Sequence, residues 1–183
     1  AGRGPLAGPV VAAAVILPIV HPPWLNQIKD SKELTSKRRE YLFALICEEV
    51  LAFGVGIVSP QIIDSINILQ ATFLAMERAI DKLPVLPDFL LVDGFTIPKC
   101  KYSHEGIIKG DKLCLSIACA SIIAKVSRDH MMEKLDKIYP GYGFAKHKGY
   151  GTKEHISNLW RLGPSVIHRQ SFAPVKSVIR NRK

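Results

Sequence analysis

The sequence predicts an α/β fold, in which a mixed sheet is flanked by helices and is followed by a helical C-terminal part. Apolar runs of strand length come first, helical and strand patterns then alternate, and helical patterns alone close the chain. The 183 residues suit one domain with a small appendage, and 48% hydrophobic residues can form a real core. We expect a main domain over residues 1–140 and a helical extension with a loop and a basic tail over residues 141–183.

The first elements are a strand, a helix and a second strand. The run PVVAAAVIL at residues 9–17 is continuously apolar, as a buried strand requires. Apolar residues recur at helical spacing over residues 36–53, and Gly54 ends that helix. Residues 55–58 have the composition of a short strand.

The middle of the chain predicts a helix and two strands. Ser59 and Pro60 have the residue types of a helix N-cap and first turn, so a helix begins there and ends before Pro84. A buried strand over residues 88–93 carries Asp93 at its end, and residues 103–109 form another short strand.

The last part is helical apart from one loop. A long helix is predicted from about residue 113 to residue 138, and residues 141–151 form a glycine-rich loop. Thr152 has the residue type of an N-cap for a short helix that ends at Gly163-Pro164. The basic tail from Val175 is predicted to be frayed.

The charge balance indicates a polyanionic partner. The net charge is +9 and the pI about 9.5, which favours nucleic acid, although a basic domain without such a partner remains the alternative. No run is long enough for a transmembrane helix. The cysteines lack the spacing of zinc sites or of a secreted disulfide framework, so we expect reduced thiols in a cytoplasmic protein. They are Cys47, Cys100, Cys114 and Cys119.

Asp93 and Asp111 are the candidate metal ligands. Asp93 ends an apolar run, and Asp111 follows the segment Ile107-Ile108-Lys109-Gly110. Carboxylate oxygens suit Mg²⁺ or Mn²⁺, and a carboxylate at a buried strand end needs a cation or several hydrogen bonds. The alternative is a turn residue at Asp93 and a helix cap at Asp111, since Asp-Gly is common in turns.

Two further segments have features of a nucleic-acid surface. Glycines at residues 2–8 let the backbone lie close to a ligand, and Arg3 could bind a phosphate. Residues 142–151 interleave aromatic and cationic side chains, which suits contact with sugars, bases and phosphates. Core aromatics beside solvated lysines are the alternative for this loop. The pairs His168-Arg169 and Lys29, Lys32 are lesser basic candidates.

The chain resembles the type 2 ribonucleases H of bacteria, known as ribonuclease HII, over nearly its whole length. Eight segments occur in the order of that family. They are AGRGPLAGPVVAAAVIL (1–17), DSKELT (30–35), INILQATFLAM (66–76), LVDG (91–94), IKGD (108–111), ASIIAKVSRD (120–129), YGFAKHKGYGT (142–152) and HRQSFAPV (168–175).

The resemblance implies an RNase H-like fold and Mg²⁺- or Mn²⁺-dependent cleavage of the RNA strand in RNA–DNA hybrids. It also implies nicking on the 5′ side of a single ribonucleotide in duplex DNA, by two-metal-ion hydrolysis that leaves a 3′-hydroxyl and a 5′-phosphate. Asp93 and Asp111 match catalytic, metal-binding acids of the family. The family's first strand ends in Asp-Glu just before Ala-Gly-Arg-Gly, so its other two acids would precede Ala1. We expect a chain beginning at Ala1 to fold poorly and to nick weakly.

The resemblance also assigns substrate contacts. Gly2, Arg3 and Gly4 match the motif that reads the ribose 2′-hydroxyl at an RNA–DNA junction. Tyr150 matches the tyrosine that packs on the following deoxyribose, and Asp129 matches a Ser-Arg-Asp position with no firm role, for which a helix-surface or capping function is the alternative.

The competing functions are a nucleic-acid-binding fragment with impaired catalysis and another nuclease on the same fold. We expect a monomer that acts on RNA–DNA hybrid and on ribonucleotide-containing duplex DNA, without a membrane. The tail at residues 178–183 has no clear motif for docking on a sliding clamp.

Overall fold

The computed structural model describes residues 1–28 and 34–182 and has the predicted α/β architecture. The strands are β1 (Val10–Ile16), β2 (Ala52–Val58), β3 (Leu90–Asp93) and β4 (His104–Ile107). The helices are α1 (Ser36–Glu49), α2 (Pro60–Asp81), α3 (Gly110–Leu113), α4 (Leu115–Ile138), α5 (Phe144–His147), α6 (Lys153–Leu162) and α7 (Ala173–Asn181). A 3-10 helix at Pro23–Gln27 lies in the proline-rich turn.

The chain divides into two compact units. Unit 1 consists of Ala1–Val10, Val58–Thr72 and Ser127–Lys183, and unit 2 consists of Val11–Ile57 and Phe73–Val126. Helices α2 and α4 are each divided, with one part in unit 1 and the other part in unit 2.

Unit 2 contains β3, β4, nearly all of β1 and β2, and an apolar core. Among the described residues β1 pairs with β2, and β3 pairs in parallel with β4 so that Asp93 is opposite Ile107. Apolar side chains of α1 and of the first half of α4 fill one core together with the 3-10 helix. Its buried members are Trp24, Leu25, Ile28, Leu42, Ile46, Ala118, Cys119, Ile122, Ile123 and Val126.

Helix α2 is two helical segments joined at Asn67, where the sequence predicts one continuous helix. Asn67 has a φ of 66° and a ψ of 165°, which no helix accommodates. Its Oδ1 accepts hydrogen bonds from the amides of Leu69 and Gln70 at 2.9 and 3.1 Å. The side chain therefore caps the second segment, as asparagine does at a helix start.

Unit 1 packs the N-terminal segment against the C-terminal helices. Ala7 pairs with His168 in an isolated bridge, and Leu6 lies in one apolar cluster with Leu159 and Val175. The predicted cap of α6 is confirmed, because the Thr152 hydroxyl accepts from the His155 amide.

The prediction of a frayed tail from Val175 is wrong. Helix α7 covers Ala173–Asn181, and Val175 and Val178 are fully buried. Apolar residues at helical spacing hold this segment against α6 although its other face is cationic.

Within the described part of the chain, no helix combines the length and the apolar character that a membrane span requires.

Candidate functional site

Asp93 lies at the end of a strand that is covered on one face only. Leu90 and Val92 are buried, whereas Leu91 and Asp93 are exposed. The predicted burial of this strand end is therefore wrong. The strand alternates between a core face and an open face, and Asp93 is on the open face.

The parallel pairing of β3 and β4 brings Asp93 beside the turn that leads to Asp111. The Asp93 Oδ1 accepts a hydrogen bond from the Gly110 amide at 3.0 Å. Asp111 follows in the first turn of α3 and is only 6% exposed. The N-cap of α3 is Lys109, so Asp111 is not the cap residue that the alternative interpretation required.

These two aspartates fit part of a divalent-metal site. Their oxygen donors are those that Mg²⁺ and Mn²⁺ prefer. Among residues 1–28 and 34–182 no group of three or more His, Cys, Asp or Glu side chains is arranged to hold a metal ion. Asp93 and Asp111 alone would therefore give such an ion only part of a ligand set.

In unit 1, Gly2, Arg3 and Gly4 lie together with Tyr150. Arg3 and Gly4 are exposed, and Tyr150 is 45% exposed. A Cβ built on Gly4 would lie 3.8 Å from the Tyr150 Cε1, so the tyrosine ring borders this turn. Of the residues that the resemblance assigns to the substrate, Arg3, Gly4 and Tyr150 are thus exposed in unit 1, whereas Gly2 is buried.

Gly2 is needed for the shape of this turn. Its φ is +84°, which favours glycine, and a Cβ there would lie 2.1 Å from the Arg128 Nε. The turn therefore rests directly on the Arg128 side chain.

Arg169 binds the carbonyl groups of the N-terminal segment (residues 2–9) from inside the unit. Its Nη2 donates to the carbonyls of Gly2 at 2.6 Å and Gly8 at 2.9 Å. Its Nη1 donates to the Arg3 carbonyl at 2.9 Å, and its Nε donates to Gly8 at 3.1 Å. Because Arg169 is 0% exposed, its prediction as a basic surface candidate is wrong.

Arg128 binds the same segment from α4 and also reaches the loop of Tyr150. Its Nε donates to the Pro9 carbonyl at 2.9 Å and its Nη2 to the Ala7 carbonyl at 3.1 Å. Its Nη1 donates to the Lys148 carbonyl at 2.9 Å. One guanidinium therefore joins the N-terminal segment to the Tyr150 loop (residues 148–152).

The two guanidinium groups are cations that are buried away from water. Burial lowers the pKa of Arg169, and the like charge of Arg128 lowers it further, while Asp64 and Tyr150 raise it. Burial likewise lowers the pKa of Arg128 against the opposing effects of Tyr150 and Asp129. Both stay charged at neutral pH, and their hydrogen bonds to carbonyls compensate the lost hydration.

Three buried histidines lie beneath the Tyr150 loop. The ring of His155 stacks on His147 at 4.4 Å between centroids, and its Nε2 lies 3.1 Å from the His168 Nε2. The His155 Nδ1 lies 2.8 Å from the Tyr150 carbonyl, to which it donates. The histidine His168 is 1% exposed, so it too is no surface candidate.

The loop at residues 142–151 divides between core and surface. Tyr142 and Phe144 are buried and stack at 5.1 Å between ring centroids, so for these two rings the core interpretation is correct. Lys146 and Lys148 form ion pairs with glutamates. Within this loop Tyr150 is the exposed aromatic.

Asp129 and the pair Lys29, Lys32 are the remaining candidates. Asp129 is 9% exposed and lies inside α4, so neither a helix-surface nor a capping role fits it. Lys29 and Lys32 lie outside the described residues.

Comparisons with known proteins place these features in one family. The family model described as Ribonuclease HII matches residues 1–175. Ribonuclease HII of Desulfitobacterium hafniense strain Y51 is 59% identical over 177 residues, which cover 96% of this chain and 67% of the relative. Ribonuclease HII of Dehalococcoides mccartyi strain BAV1 is 53% identical over 180 residues, which cover 98% of this chain and 85% of the relative.

Solved structures agree with the sequence comparison. The crystal structure of ribonuclease H2 from Pyrococcus horikoshii OT3 superposes with a TM-score of 0.80 at 28% identity, covering 100% of this chain and 96% of that one. The PCNA:RNase HII complex from Archaeoglobus fulgidus contains a chain with a TM-score of 0.75 at 26% identity, covering 100% and 94%.

Proposed function

The chain belongs to the ribonuclease HII family, and from this membership we propose that it nicks duplex DNA 5′ of single embedded ribonucleotides and cleaves the RNA strand of RNA–DNA hybrids. As a member of this family it is a ribonuclease H, an endonuclease whose activity requires a divalent metal. The nicked product carries a 3′-hydroxyl and a 5′-phosphate.

In this proposal Asp93 and Asp111 bind Mg²⁺ or Mn²⁺. A bound divalent cation supplies Lewis-acid chemistry for phosphodiester hydrolysis, in the two-metal-ion manner known for nucleases. The Gly110 amide fixes one oxygen of Asp93 at 3.0 Å and thereby orients the carboxylate. The exposure of Asp93 leaves it accessible to a phosphodiester.

Recognition of the ribose is assigned to Gly2, Arg3, Gly4 and Tyr150. The observation that carries this assignment is the proximity of Gly4 to the Tyr150 ring, 3.8 Å from where a Cβ on Gly4 would lie, because it brings two sequence-distant elements together in one exposed surface. Backbone groups of the turn would hydrogen-bond the 2′-hydroxyl, the group that distinguishes RNA from DNA. The exposed ring would pack on the neighbouring deoxyribose.

The positive charge supports binding to a duplex without reading of its bases. A net charge of +9 provides phosphate contacts that are independent of sequence. We propose that the protein is a monomer in the cytoplasm. Its four cysteines are all free, which agrees with a reducing compartment.

Nicking of three matched duplexes tests the function. One is all DNA, one contains a single ribonucleotide, and one is a full RNA–DNA hybrid. We expect metal-dependent cuts 5′ of the ribonucleotide and along the hybrid RNA, and no cut in the all-DNA duplex. Size-exclusion chromatography of the same sample reports the oligomeric state.

Two results would contradict the proposal. Hybrid binding that does not depend on metal, without any cleavage, would identify a binding module. Cleavage of the all-DNA duplex would identify another nuclease on the same fold.

A further inference from the structure

We infer that Arg169 and Arg128 are positioning residues for substrate specificity, which hold the Gly2–Gly4 turn in place. The inference rests on the proposed recognition of ribose by this turn. Neither arginine contacts the substrate in this account, because they are 0% and 1% exposed. They act through the backbone that they bind.

Arg169 determines which way the turn faces. It donates to the carbonyls of Gly2 and Arg3, so these acceptors point into unit 1. The bonds from Arg169 to the Gly8 carbonyl fix the other end of the same segment. With these two carbonyls directed at Arg169, we expect backbone amides of the turn to face the substrate.

Arg128 determines the position of Tyr150 relative to the turn. Its guanidinium binds the carbonyls of Ala7 and Pro9 on one side and of Lys148 on the other. The Leu6 amide adds a direct bond to the Gly149 carbonyl at 2.8 Å. The N-terminal segment and the Tyr150 loop are thus fixed to each other.

The guanidinium group suits this role and an ammonium group does not. Arginine presents five donors in a fixed plane, and Arg169 uses that plane to reach three carbonyl groups. Lysine keeps the charge but offers a single nitrogen on a flexible stem. A lysine at either position should leave some of these buried carbonyls without a donor and the turn less ordered.

The test measures specificity by binding. Dissociation constants are measured in Ca²⁺ for an all-DNA duplex and for the same duplex with one ribonucleotide, using the full-length protein. We expect Arg169→Lys and Arg128→Lys each to reduce the preference for the ribonucleotide by about tenfold, the effect of losing one well-placed hydrogen bond. Binding to all-DNA duplex, which depends on surface phosphate contacts, should change far less.

Arg78→Lys is the matched control. Arg78 also donates to a backbone carbonyl, that of Ile57 at 2.7 Å, but it lies in unit 2, whereas residues 2–9 lie in unit 1. Thermal melts show that each variant is folded at the assay temperature. We expect Arg78→Lys to keep the unchanged protein's preference.

The outcomes separate this inference from the proposed function. If the unchanged protein shows no preference for the ribonucleotide, the proposed recognition of ribose fails. If the unchanged protein has the preference and the folded arginine variants retain it, or Arg78→Lys loses it equally, the inference fails.

A measurement on the unchanged protein covers the case in which neither arginine variant folds. We expect backbone order parameters of residues 2–9 near those of rigid structure, about 0.85, in the absence of substrate. Values below about 0.6 would overturn the inference, because a turn that is already disordered is not held by the arginines.

Discussion

The Nε2 atoms of His155 and His168 lie 3.1 Å apart, so one of the two rings must donate and the other accept. His155 donates through Nδ1 to the Tyr150 carbonyl, which leaves its Nε2 as an acceptor. His168 therefore donates through Nε2, while its Nδ1 accepts from the Ser165 amide at 3.0 Å. The chain of bonds from Ser165 to Tyr150 requires both rings to be neutral.

Protonation of this pair should destabilise the protein in mild acid. Burial, with the neighbouring His155 and His147, lowers the pKa of His168 from 6.5 to about 4. Between pH 6.5 and about pH 4 the unfolded chain therefore binds more protons than the folded chain. The stability that neutral His168 contributes above pH 6.5 is lost as the pH falls through about 4. We expect the free energy of unfolding from denaturant titrations to decrease by about 3 kcal/mol from this residue.

His168→Gln isolates the contribution of the histidine. Glutamine can keep a donor toward the His155 Nε2 but does not titrate, so the variant should be less stable at pH 7 and lose less stability in acid. An equally steep pH dependence in both proteins would assign the effect to carboxylates instead.

Asp93→Asn should abolish nicking without unfolding the protein. Asparagine keeps an oxygen that can accept from Gly110 but removes a charge from an acidic site, so stability should hold or rise. Activity should fall by several orders of magnitude, because a metal ligand is lost. Cleavage rates and thermal melts measure the two effects.

Asp88→Asn controls for the change in charge. Asp88 is exposed and precedes the same strand, so its variant should nick normally. Near-normal activity of Asp93→Asn would remove Asp93 from the metal site.

The sequence predicted elements whose ends have local signals. Thr152 and Gly163 bound α6 as expected, and Asp93 ends β3 as expected. In these cases a cap, a glycine or an apolar run is sufficient, because the determinant lies within a few residues. Asn67 was missed because the apolar residues Ile66, Ile68 and Leu69 beside it continue the helical pattern, although asparagine is a preferred N-cap residue.

The supports of the site could not be predicted in the same way. In the sequence, Arg128 and Arg169 cannot be distinguished from other basic residues. Only the fold shows that they bind carbonyls that are distant in sequence. The segment of helix α7 was predicted to be frayed because it is rich in cationic residues, although Val175 and Val178 have the spacing of one helix face. That spacing was a usable signal, whereas nothing local to Arg169 indicates its burial.

Tyr150→Ala should impair nicking at a single ribonucleotide more than cleavage of a long hybrid. Loss of the packing on a sugar should cost about 1–3 kcal/mol, by analogy with stacking of bases on aromatic side chains. The ring is 45% exposed, so the melting temperature should change little. Trp160, also 45% exposed in unit 1, provides the control Trp160→Ala, which should affect neither substrate. Equal losses on both substrates with a lower melting temperature would make Tyr150 a structural residue.

Alanine at Gly2 should destabilise the protein, whereas alanine at Gly4 should leave stability almost unchanged and impair recognition. Gly2→Ala forces a Cβ to within 2.1 Å of the Arg128 Nε at a φ of +84°, so it should destabilise the protein. The left-handed backbone alone disfavours alanine by roughly 1–2 kcal/mol, and displacement of the guanidinium adds to this.

Gly4 is exposed and has no positive φ, and its added methyl group would meet only the Tyr150 ring, at 3.8 Å. We expect Gly4→Ala to change stability by no more than about 0.5 kcal/mol. It should nevertheless reduce cleavage at a single ribonucleotide, because the methyl group occupies the surface where the ribose would approach the turn. Thermal melts and nicking rates of the two variants give the comparison. A stable, fully active Gly4→Ala protein would show that the ribose does not approach this turn closely.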